Sequence, residues 1–151
     1  MNEGAAPTAA DTTRWVCWLG VALVLLGLAT GALIPLFDDA RRGLAAHTAG
    51  VQNGVLLTVL GLLWPRLRLT KRTELLAATG AVFSLYAIWI AFVLAAAFGT
   101  GTAVPGAEST HPAGTWQATM VSSVRGAGSM ALLASLLAVL WGLRPARSPS
   151  E

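Results

Sequence analysis

The sequence predicts an all-α membrane protein, a four-helix transmembrane bundle, and three observations carry that reading. Hydrophobic residues make up 55% of the chain and charged residues 11%, against about a quarter charged in an ordinary soluble domain. The apolar residues gather in long runs, each with the about 20 residues a helix needs to cross a bilayer. Between the runs stand the prolines, glycines and charges that interrupt helices.

Taken in order, residues 1–13 are small and polar, contain Pro7, and predict a disordered tail. Residues 14–144 form the transmembrane domain and 145–151 a C-terminal tail. The first span covers 15–37, with Arg14 and Trp15 as interfacial anchors. It is long for a signal-peptide core and lacks a small-residue cleavage site, so it reads as a retained span. A short turn, DDARR at 38–42, leads to the second span at 44–64, which stops at Pro65. The basic loop RLRLTKR at 66–72 precedes the third span, 75–98. A loop rich in Gly, Thr and Pro separates it from the fourth span, 116–143.

An even number of crossings puts both termini and the basic loop on one side. Arg14, Arg66, Arg68, Lys71, Arg72, Arg144 and Arg147 lie there, against Arg41 and Arg42 opposite. That imbalance predicts insertion in the inner (cytoplasmic) membrane with cytoplasmic termini. The basic residues flank apolar runs and make no patch of their own, so no nucleic-acid partner is expected. Cys17 is the lone cysteine, which excludes an intrachain disulfide and reads as a packing residue. No acid lies deeper in the third span than Glu74, which disfavours a proton-coupled transporter.

The second span is unlike the others. Its first turns hold His47, Gln52 and Asn53, and each such group costs several kcal/mol, roughly, if left unpaired in hydrocarbon. Side chains of that kind line sites. Gly50, Gly54 and Gly61 fall within about 60° of His47 on an ideal helix. The pair Gly50/Gly54, like Gly27/Gly31, has the spacing of close helix packing. Beside His47 a smooth glycine strip would also let a flat macrocycle reach the imidazole, a common haem ligand. Cysteines and carboxylates do not cluster with it, which disfavours zinc. His47 also admits the plainer reading of a packed histidine bonded to a helix carbonyl. Asn53 lies about 120° from His47 around the helix and is expected to face a different cavity, completed by another protomer, or else to bond a neighbouring helix.

The remaining candidates collect at the same mouth. His111 and Trp116 belong to the half of the molecule that holds His47. With a single histidine at span depth, bound iron would keep an open position, which favours chemistry on a substrate over electron transfer. Arg42, and Arg41 beside it, would meet the cofactor's carboxylates or serve as ordinary interfacial charges. Arg125, deep in the fourth span, has three open readings: snorkelling, an ion pair with Glu108, or a cofactor carboxylate. Tyr86, Trp89 and Phe92 form an aromatic face that packing alone explains and that would also suit a small aromatic substrate, with Trp116 as a further substrate contact.

Three segments together carry a resemblance: GLAAHTAGVQNG at 43–54, FGTGTAVPG at 98–106, and His111 followed by Trp116 and Gln117. The chain resembles the hydroxylaminobenzene mutase family over roughly residues 15–143. The segment YAIW at 86–89 is similar to that family's Tyr-Ala-Asn-Trp, with Ile88 in place of asparagine. The spacing of His47 and Asn53 also resembles styrene oxide isomerase, a four-span, trimeric, haem b-dependent membrane enzyme. That resemblance implies His47 as the iron ligand, Asn53 as a substrate contact, haem b as cofactor and a homotrimer. It departs at Phe92, where the isomerase's functional tyrosine falls.

The expectation is a membrane isomerase that rearranges an arylhydroxylamine to a 2-aminophenol on a Lewis-acidic iron. Asn53, Gln117 and His111 would orient its polar end. The runner-up is epoxide opening to an aldehyde. The opposing class is a non-catalytic haem-binding or structural bundle.

Overall fold

The computed structural model describes residues 9–37, 39–98 and 114–145. It consists of α1 (Ala9–Ala32), α2 (Ala40–Leu63), α3 (Lys71–Phe98) and α4 (Thr115–Gly142). All four are long and apolar enough to cross a membrane, and the described residues contain no strand. Helix α1 begins at Ala9, inside the stretch expected to be a tail.

The ends of the helices follow from local chemistry. After α1 a short 3-10 turn, Ile34–Leu36, contains Pro35, whose missing N–H ends the helix. At the start of α2 the Asp39 carboxylate accepts from the backbone N–H of Arg41 at 2.8 Å and of Arg42 at 3.4 Å, satisfying orphan donors of the first turn. Helix α2 stops in a second 3-10 turn, Trp64–Arg66, around Pro65. Thr70 opens α3: its Oγ1 accepts from the Thr73 N–H at 3.3 Å.

Helices α1 and α2 pack backbone to backbone, because glycines meet across their interface. A Cβ added at Gly27 would lie 2.6 Å from the Val51 nitrogen, and one at Gly54 2.5 Å from the Val24 nitrogen. Such strips bring helices close enough for dispersion and Cα–H contacts to hold them. Helix α3 packs on α2 and α4, and α4 packs chiefly on α3. The buried core runs through Leu23, Leu57, Leu60, Trp64, Ala81, Leu85 and Val139. At one end the Arg68 N–H donates to the Gly142 carbonyl at 2.9 Å, tying the basic loop to the close of α4. Large apolar side chains such as Trp18, Leu62 and Leu140 are exposed on the outside, the arrangement a lipid-facing surface requires.

Candidate functional site

His47 lies about two turns into α2 and turns toward α1. Its Nδ1 is 2.8 Å from the Gly27 carbonyl oxygen. A carbonyl can only accept, so Nδ1 carries the proton and donates it. In the neutral ring that leaves the lone pair on Nε2, which has no hydrogen-bond partner among the described residues. Gly31 makes the room: a Cβ there would lie 2.5 Å from Nδ1 and 3.0 Å from Cε1. The plainer reading of His47, a histidine bonded to a helix carbonyl, is therefore true of one ring nitrogen and leaves the other available.

Two expected cradle residues belong elsewhere. Gly50 and Gly54 are buried against α1; a Cβ at Gly50 would meet Gly27 Cα at 2.6 Å and the Trp89 ring at 2.9 Å. The reason is rotational: at 100° per residue these glycines sit on the side of α2 that α1 already fills. They are helix-packing residues, not a free strip for a macrocycle. Arg42 is likewise committed: it is 2% exposed, and its Nη1 lies 3.4 Å from the Asp39 carboxylate in an ion pair across the first turn of α2.

Asn53 points the other way from His47, as its helical position requires. Its Nδ2 donates to the Leu85 carbonyl on α3 at 2.9 Å, which leaves one amide hydrogen and the side-chain oxygen unused. Those groups border a cleft of about 460 Å³ on the α2–α3 face, lined also by Arg41, Thr48, Gln52, Ile88 and Phe92. His47 does not line this cleft, so the two expected site residues occupy different faces of one helix.

The aromatic wall is divided. Phe92 lines the Asn53 cleft. Trp89 packs on Gly50 at the α1–α2 seam, with its indole N–H buried and without a partner among the described residues. Tyr86 donates its hydroxyl hydrogen to the Leu19 carbonyl of α1 at 2.8 Å and borders a separate α3–α4 groove of about 490 Å³ with Phe83, Ile90 and Val124. Three residues at i, i+3 and i+6 rotate by about 60° per step, enough on a helix with three neighbours to send each to a different one.

Trp116 and Gln117 stand at the start of α4. Trp116 is 64% exposed, its ring 6.2 Å from that of Phe98 at a tilted 56°. Gln117 caps its own helix, with Oε1 accepting from the Gly114 N–H at 2.6 Å. This cap uses one lone pair of the oxygen and leaves the amide hydrogens uncommitted. His111 lies outside the described residues.

Sequence reasoning did not single out Gly27 and Gly31 as the seat of His47, or Thr48 as a wall of the Asn53 cleft. The only sequence signal for the first was the Gly27/Gly31 spacing, which reads equally as packing alone. Among the described residues no three His, Cys, Asp or Glu side chains gather as metal ligands. The described residues thus offer too few donors for a protein-only metal site, whereas a macrocycle that brings its own equatorial nitrogens needs a single imidazole. His47 fits that requirement, since a ligating histidine characteristically donates its other ring N–H to a carbonyl.

The comparisons with known proteins name two kinds of isomerase. The family model described as styrene oxide isomerase matches residues 12–144. The chain is 39% identical over 147 residues to hydroxylaminobenzene mutase HabB of Ectopseudomonas oleovorans, covering 95% of this chain and 90% of that protein. It is 43% identical over 82 residues to hydroxylaminobenzene mutase HabA of the same organism, covering 54% of this chain and 61% of that protein. No solved structure matches.

Proposed function

The chain belongs to the styrene oxide isomerase family and is an isomerase, and on that premise we propose that it is a haem-dependent membrane mutase converting a small arylhydroxylamine to a 2-aminophenol. The observation that carries this reading is the His47 ring, whose Nδ1–H donates to the Gly27 carbonyl and leaves the lone pair on Nε2. The substrate class rests on the two relatives named hydroxylaminobenzene mutase. His47 would hold the haem b iron, which supplies a Lewis acid to the substrate's oxygen when bound. Asn53 would orient the hydroxylamino group with its unused amide hydrogen and oxygen, while Phe92 and Ile88 hold the ring and keep water out. The reaction is balanced without a co-reactant: the N–O bond breaks, a C–O bond forms at the ortho carbon, and the ortho proton ends on nitrogen.

His47 faces α1 and Asn53 faces α3, so one ligand in a single chain is poorly placed to meet both. We take the site to be completed between copies in a homotrimer, with His47 of one protomer serving the Asn53 cleft of its neighbour. The charge imbalance across the apolar runs supports insertion in the cytoplasmic membrane with the termini inside.

A second reading, rearrangement of an epoxide to an aldehyde, is favoured by the family model that matches the chain. Phe92 lines the cleft without a hydroxyl, which weights the choice toward the hydroxylamine. The test is to purify the protein in detergent, record its absorbance, and incubate it with phenylhydroxylamine and with styrene oxide in parallel. The expected result is a Soret band and release of 2-aminophenol. A folded, colourless protein inert toward both compounds overturns the proposal, and a coloured but inert one leaves a haem carrier.

A further inference from the structure

Arg125 lies about 15 Å from the start of α4 at 1.5 Å per residue, well inside a helix of 28 residues. An arginine at such depth is costly to leave uncompensated in hydrocarbon, so it calls for an anion. Among the described residues no acid lies beside it. Among the described residues the acids are Asp11, Asp39 and Glu74. Asp11 and Glu74 stand in the first turns of α1 and α3, at the opposite end from the start of α4. Asp39 caps α2 and pairs with Arg42. The Arg125 side chain has no ion pair or hydrogen bond among the described residues.

Its position on α4 says which way it faces. The buried face of that helix is marked by Val121, Gly128 and Ser135, and a Cβ at Gly128 would meet Ile88 of α3 at 3.1 Å. To one flank, Ser123, Val124 and Ala127 line the α3–α4 groove that contains Tyr86. Arg125 is about 100° from Val124 and about 60° from Gly128, which puts it on the other flank. There α3 presents Ile88 and Phe92, the floor of the Asn53 cleft. Helix α2 is one wall of that cleft, and α4, bearing Arg125, stands on the far side of its floor.

We propose that Arg125 binds a carboxylate side chain of the tetrapyrrole at the open flank of the Asn53 cleft, an inference that rests on the haem reading above. A guanidinium is suited to such a partner, because it stays charged in a poor solvent and presents paired donors matching a carboxylate. Of the two other arginines considered for this role, Arg42 is already paired with Asp39, and Arg41 lines the opposite wall of the same cleft, on α2.

The test is a titration of the detergent-solubilised full chain, freed of endogenous haem, with haemin and with haemin dimethyl ester, whose carboxylates are blocked. Binding is read from the Soret band, with His47→Ala as the measure of partition into micelles. Wild type is expected to bind haemin about tenfold more tightly than the ester. Arg125→Gln is expected to bind both with the affinity of the ester, and Arg125→Lys to recover part of the preference. An Arg125→Gln protein that keeps the wild-type preference for the free acid overturns the inference and leaves the haem reading standing. That is the outcome for a snorkelling arginine or one paired with a protein carboxylate. Wild type that binds haemin no better than His47→Ala overturns both.

Discussion

The imidazole of His47 and the carbonyl of Gly27 are joined by a hydrogen bond of 2.8 Å across the α1–α2 interface. One ring nitrogen joins two helices, and the other keeps a lone pair with no hydrogen-bond partner among the described residues. His47→Ala is therefore expected to lose the Soret band and all turnover while costing only about 1 kcal/mol of stability. Absorbance and thermal unfolding on the same sample check both halves. A variant that keeps the wild-type spectrum shows that His47 is not the iron ligand.

Gly31 controls the same ring by absence. A methyl at this position would lie 2.5 Å from Nδ1, so Gly31→Ala is expected to displace the imidazole and weaken haem binding. Overpacking of this kind costs about 1–3 kcal/mol, so the helices should remain assembled. Circular dichroism unchanged beside a shifted or depleted Soret band is the expected pair of results.

Gly50 separates packing from cofactor contact. Its added Cβ would press on Gly27 Cα at 2.6 Å, which is backbone and cannot yield. Gly50→Val is expected to destabilise the bundle by about 1–3 kcal/mol or more, seen as a lower unfolding temperature even without haem. Unchanged stability together with lost haem affinity would restore Gly50 to the cofactor site.

Asn53 holds Leu85 with one amide hydrogen and has the rest of its amide for a guest. Asn53→Ala is expected to lower kcat/KM by roughly 10–100-fold, the loss of one or two polar contacts of about 1–3 kcal/mol, with the Soret band in place. Loss of haem in this variant would assign Asn53 to the cofactor's seat and not to the substrate, and loss of stability alone would assign it to helix packing.

Gln117 is expected to be dispensable. Its oxygen caps the start of α4, so Gln117→Ala should cost about 1 kcal/mol or less and leave turnover unchanged. A kcat reduced tenfold or more with stability intact would return it to the reaction.

The number and type of helices were legible because hydrophobicity is additive along a chain: any run of this length and composition reads the same in any context. Pro65 acts locally too, and α2 stops beside it, whereas the first span was expected to reach 37 and α1 ends at Ala32, ahead of Pro35. His47 and Asn53 stood out because polar groups in an apolar run are costly wherever they end up. Their divergence was also readable, since about 120° around one helix cannot point to one neighbour. Gly50 and Gly54 were not readable, because a glycine beside a histidine looks the same whether a helix or a ligand fills the space. Tyr86, Trp89 and Phe92 failed as a wall for a related reason: i, i+3 spacing is a single face only while one neighbour spans the rotation.

By itself the sequence determined that this is a four-helix chain of membrane-spanning character, with its polar chemistry concentrated early in α2. Those properties depend on composition and on distance along the chain. Only the tertiary structure decided that α1 occupies the glycine face of α2, that Gly27 fixes the His47 proton, and that Asn53 opens onto a separate cleft. Each of these depends on which helix is the neighbour across a gap, and that is set by close packing among segments far apart in sequence.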